Sequence, residues 1–81
     1  MTDQRTADLV ARPGGVMTDE VGAVTGELTL RTEVNDGTVV HHVQYKDADE
    51  WYVVTDSRRP LSAGEDIDAA HTKALATLAS P

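Results

Sequence analysis

From Glu27 the hydrophobic and polar positions alternate without a break. Leu28, Leu30, Thr32 and Val34 fall on one face, and Glu27, Thr29, Arg31 and Glu33 on the other. A period of two marks a strand with one face buried. Asn35-Asp36-Gly37-Thr38 follows. Asp-Gly suits a two-residue hairpin loop, because that turn needs positive φ and glycine adopts it freely. Placing the loop at Asp36-Gly37 sets the register of the next strand. Val34 then faces Val39, Thr32 faces His41, Leu30 faces Val43 and Leu28 faces Tyr45. On the reverse face Glu33 meets Val40, Arg31 meets His42, Thr29 meets Gln44 and Glu27 meets Lys46. The apolar residues meet on a shared face and Glu27–Lys46 is an opposite-charge pair, which is the agreement that a true register produces.

"KDADE" reads as the next turn and "WYVVTD" as a third strand. A loop of two or four residues puts Tyr52 and Val54 on the core face and leaves Trp51 and Val53 outside; a loop of three reverses them. Pro60 either starts a short edge strand or turns the chain. A helix follows, with Ser62 and Glu65 spaced as a capping box and Asp66 as an alternative N-cap. Ile67, His71, Ala74 and Leu78, flanked by Ala70 and Leu75, form its apolar stripe. Pro13-Gly14-Gly15 is a strong turn signal. "TDEVGAVTG" suits a short helix capped by Thr18, an irregular arm or a short strand. The expected fold is α+β: an antiparallel sheet of three or four strands with one C-terminal helix packed on one face. Residues 1–25 are expected as a flexible N-terminal arm with a short strand as the alternative, and residues 26–81 as a single domain.

The 81 residues contain no cysteine, which removes disulfides, thiolate metal sites and cysteine nucleophiles together. No run approaches the roughly 20 apolar residues that span a bilayer, and "MTDQRTADLVARPGG" does not read as a secretion signal. A cytoplasmic protein is expected, with no membrane partner. The chain carries 14 acidic and 7 basic residues, a net charge of −7. Nucleic-acid binding depends on phosphate neutralisation by Lys and Arg, so no nucleic-acid partner is expected. Nine of the acids are Asp, and only Lys46 and Lys73 are lysines. This acid-rich, lysine-poor usage resembles that of haloarchaeal proteins, and also that of high-GC actinobacteria. A halophilic protein would keep its carboxylate coat hydrated in concentrated salt, which screens self-repulsion.

The order of strand, strand, short edge and helix, with "YKDADEWYVV" and "LSAGEDIDAAHTKAL", resembles the small domain of HicB-type antitoxins. Gly64, Glu65, Asp66, Ile67, Asp68, Ala69 and Ala70 match that family's glycine and acidic helix start. The resemblance covers roughly residues 39 to 78, and "DSRRPLSAG" departs from the family's loop. It implies toxin binding and oligomerisation.

His41-His42 invites a metal or a proton-transfer role. Neighbouring strand residues point to opposite faces, so the two cannot chelate one ion together. His41 can instead meet His71 of the helix, with Asp56 opposite His41 in the even-loop register as a third ligand or a proton partner. The plainer expectation is a histidine packed in the core with its nitrogens hydrogen bonded. Asp47, Asp49 and Glu50 lack the glycine and distant glutamate of a calcium loop and read as a solvated turn. Arg58-Arg59 is the one basic cluster and the candidate anion-binding pair. Val40 with Trp51 and Val53 leaves an apolar patch on the face that the helix cannot cover, which makes these three the candidate interface. The reading that follows is a non-enzymatic protein-interaction or regulatory module, homodimeric, without catalytic residues, metal or cofactor. The alternatives are an antitoxin-like or DNA-mimicking regulator, and a small ligand- or metal-binding domain using His41, His71 and Asp56.

Overall fold

The Asp36-Gly37 hairpin forms in the expected register. In the computed structural model, which describes residues 2–80, the strands are β1 (Thr2–Val10), β2 (Val16–Thr18), β3 (Gly22–Val24), β4 (Glu27–Asn35), β5 (Thr38–Tyr45), β6 (Tyr52–Val53) and β7 (Arg59–Pro60). They precede a single helix, α1 (Ile67–Leu78). β4 and β5 pair antiparallel from Leu28↔Tyr45 to Asn35↔Thr38, with Leu30 opposite Val43. Asp36 and Gly37 both have positive φ, 51° and 76°, as a primed two-residue turn requires.

The main sheet has five strands in the order β1-β4-β5-β6, with β7 also on β5. The strand beyond the expected number is β1. Residues 2–10, expected as part of a flexible arm, run antiparallel to β4 from Thr2↔Asn35 to Val10↔Glu27. The sequence hides this strand because it is polar on both faces: of its nine residues only Leu9 is buried. It forms because β4, apolar on one side, has a second edge whose amides need partners.

The rest of the N-terminal segment is also ordered. Val16 and Val24 face each other in a small β2–β3 hairpin, and Thr18 caps its turn, donating to the Gly22 carbonyl at 2.6 Å. Gly15 leads into this hairpin with φ 82°, and a Cβ there would stand 2.6 Å from the Val24 carbonyl oxygen. Only glycine fits that approach. A bridge from Thr18 to Val54 ties the hairpin to the end of β6.

Helix α1 starts at Asp66, whose carboxylate accepts from the Ala69 N–H at 2.8 Å. Glu65 accepts from the Ser62 N–H at 2.9 Å and so closes the preceding turn instead of the helix itself. Ile67, Ala70, Ala74 and Leu78 are the buried stripe. Helix and small hairpin lie on the same side of the sheet: Val16, Val24, Leu28, Leu30, Val43, Val54, Ala74 and Leu78 join Leu9 in one core.

Candidate functional site

Alternation along β5 sends Val39, His41 and Val43 into the core and Val40 and His42 to the opposite face. β6 pairs Val43 with Tyr52 and His42 with Val53. Tyr52 therefore packs against the core, and Trp51 and Val53 join Val40 on the far face, which settles the second hairpin in its even-loop register. The exposure differs from expectation. Val40 is only 7% exposed, lining a shallow hollow with Glu33, Thr38, His42 and Arg58. Trp51 and Val53 are half-buried, and the Arg31 guanidinium stacks 4.3 Å from the Trp51 ring centroid. The side-chain atoms Arg31 Nε and His42 Nδ1, which are buried, have no hydrogen-bond partner among the described residues.

On the core face, His41 and His71 do come together, through a residue whose part the sequence reading missed. The fully buried Thr32 hydroxyl lies 2.9 Å from His41 Nδ1 and 2.7 Å from His71 Nδ1. A hydroxyl has one proton to give. Spending that proton on one ring leaves the other Nδ1 to donate to the hydroxyl, an arrangement in which the two neutral imidazoles hold opposite tautomers. Burial, then the charge of Arg59, lowers the pKa of His41 to about 4. Burial also lowers that of the half-buried His71. The signal was present: Thr32 is the one polar residue in the inward row of β4, directly opposite His41.

Asp56 does not complete this cluster. It is exposed, sits in a turn with φ 60°, and among the described residues its side chain has no hydrogen bond to either histidine. Ser57 approaches His41 instead: its Oγ accepts from the His41 N–H at 3.2 Å and donates to the His41 carbonyl at 3.3 Å. Among the described residues no three His, Asp or Glu side chains converge as metal ligands.

Arg58, in the irregular segment before β7, and Arg59, the first residue of β7, part company. Arg58 lines the hollow beside Val40. Arg59 turns to the helix side and holds both oxygens of Glu65 at 2.8 Å each. That fork, with the Ser62 N–H, lowers the Glu65 pKa to about 2. The two arginines therefore do not form one anion site.

No family model matches the chain, and neither the curated proteins nor the solved structures provide a match.

Proposed function

We propose that the chain is a non-enzymatic interaction module that works as a homodimer, joined through the face of the sheet opposite α1. The observation that carries this reading is the segregation of cover. The helix and the β2–β3 hairpin both lie on the core side, while Trp51, Val53 and Val40 share the other face. β4 is about 30 Å long, and four strands spaced about 4.8 Å apart give a face of roughly 500 Å². Two such faces bury about 1,000 Å², the size at which a specific interface begins.

A second copy is the occupant that the charges favour. The chain as a whole carries −7 and repels itself over most of its surface. This face is different: Arg31 and Arg58 stand among Asp8, Glu27 and Glu33, so a twofold arrangement can set each sign against its opposite. The orphaned Arg31 Nε and His42 Nδ1 lie in the same region and would gain from polar groups across an interface.

Sedimentation velocity over a wide concentration range tests the proposal, with Trp51 fluorescence as an internal reporter. The wild type should sediment as a dimer, and Val53→Asp, on the half-buried far face, should sediment as a monomer with unchanged circular dichroism. A wild type that stays monomeric at every concentration, or a folded Val53→Asp that stays dimeric, overturns the reading.

A further inference from the structure

A cleft of about 300 Å³ opens on the core side, between α1, Met17 and the turn that follows β6. It follows the helix from Ala70 to Leu78, a run of about 12 Å at 1.5 Å per residue. Its floor is apolar: Val54, Ala70, Ala74 and Leu78, with Met17, itself 55% exposed, along one side. Its polar groups are Arg12, Lys73, Arg59, His41 and the hydroxyl residues Thr55, Ser57 and Thr77. No carboxylate lines it. Three of the seven basic residues of an acidic chain thus border one small cavity.

The three cations are not equivalent. Arg59 is committed to Glu65 through both arms of its fork. Lys73 forms no ion pair among the described residues. Arg12 is anchored by its Nη1, which donates to the Thr77 carbonyl at 3.2 Å, leaving the rest of the guanidinium without a carboxylate among the described residues. Lys73 and Thr77 are four residues apart and share a helix face, so the ammonium and the guanidinium border the same turn. Further along the cleft is His41, whose Nδ1 belongs to Thr32 and whose Nε2 has no partner among the described residues.

We propose that this cleft binds a small organic carboxylate, its head held by Lys73 and Arg12 and its apolar part laid on Met17, Val54 and Ala74. Lys73 and Arg12 have no directly paired acid among the described residues, Glu65 being held by Arg59, so the head end favours an anion, and the apolar floor selects a ligand with a hydrocarbon portion. The volume equals roughly ten waters, which limits the ligand to a short chain or a single ring. His41, held neutral, adds a polar contact without adding charge. If Nε2 carries the proton, its Nδ1 must accept from Thr32, and His71 must then donate to Thr32. The cleft is on the opposite side of the sheet from the proposed dimer face, so binding and association are separable.

Titration of the full-length, isotope-labelled protein with sodium hexanoate in low salt, followed by amide NMR, tests this. Hexanol and inorganic phosphate serve as comparisons. Hexanoate should shift the amides of Lys73, Ala74, Thr77 and Val54 saturably and more tightly than either comparison compound. Lys73→Met, which keeps the stem and the helix but not the charge, should weaken hexanoate about three- to tenfold. Hexanoate shifts that are absent or do not saturate overturn the proposal, as does equal binding by hexanol or by phosphate. Unchanged hexanoate affinity in a folded Lys73→Met overturns it too.

Discussion

Replacing Thr32 by valine isolates the group that joins the two histidines. Valine has the same branched shape, so the core keeps its packing and loses only the hydroxyl. That hydroxyl is fully buried and serves both Nδ1 atoms. His71 is half-buried, and water can replace its lost partner. His41 is 8% exposed, and its Nδ1 would be left facing a methyl group. A buried polar atom without a partner costs about 1–3 kcal/mol. Removing the hydroxyl from an apolar setting returns part of that, because the hydroxyl no longer has to be desolvated. The net expectation is a loss of about 1–2 kcal/mol. For a domain of this size that lowers Tm by about 5–15 °C.

Urea unfolding followed by Trp51 fluorescence measures the change, with an unaltered m-value showing that the same surface is still exposed on unfolding. Thr32→Ser keeps the hydroxyl but deletes a buried methyl worth about 1 kcal/mol, so it should retain the tautomer pattern of the wild type even where stability falls. Ring-nitrogen NMR of the wild type should show His41 and His71 in opposite neutral tautomers. A Thr32→Val protein as stable as the wild type, or two histidines in the same tautomer, would refute the reasoning.

Two further expectations concern pH and salt. The folded-state pKa of His41 is about 4 against 6.5 when unfolded, so between these values the unfolded chain binds the extra proton and stability falls as the solution is acidified. The full shift corresponds to about 3 kcal/mol; His42 and His71 shift in the same direction, and below pH 4.5 protonation of Glu65 continues the loss toward its folded value of about 2. Unfolding free energies at pH 7 and pH 4.5 check this, and equal values would contradict it. With a net charge of −7, screening relieves more repulsion than it removes attraction, so Tm should climb from dilute buffer to molar potassium chloride; a steady fall would count against the acidic coat as a salt adaptation.

How much of this was readable in the chain depends on where each determinant lies. The β4–β5 hairpin was legible because its turn and both strands carry mutually consistent signals within twenty residues. The β5–β6 register was narrowed to two choices by alternation, and fixing it took a tertiary contact, the Val54 N–H on the His41 carbonyl at 2.9 Å. β1 was not legible, since its place is set by the open edge of β4 and not by any apolar pattern of its own. Of the site, the meeting of His41 and His71 followed from the faces they share. Their link through Thr32 did not, because a threonine in an inward row usually passes for a β-branched core residue. The cleft was beyond reach: Arg12, Lys73 and Ser57 are far apart in sequence and converge only when the small hairpin folds over beside the helix.

The newly ordered β1 bears on which surface is open to a partner. A nine-residue edge strand is a template for pairing with another chain unless something blunts it. In an antiparallel ladder alternate residues turn both amide groups to the same side. The Ala11 N–H goes inward to Gly26 at 2.9 Å, while the Val10 carbonyl turns outward and accepts from the Ser80 N–H at 2.7 Å. By the same alternation the Gln4 carbonyl points outward, and there the Arg5 guanidinium covers it at 2.8 Å. Arg5 is held by Asp68 of the helix, also at 2.8 Å. Two outward carbonyls are thus already taken, and Asp3, Arg5 and Asp8 place charges along the same strand. Growth of the sheet through this edge would require breaking an ion pair and bringing the strand's charges against a like-charged copy. The far face asks for neither, since Arg31 on Trp51 can slide or re-stack against a partner without giving up a buried bond. For this reason the proposed dimer is expected to use the far face and not the β1 edge, which the charges of so acidic a chain protect.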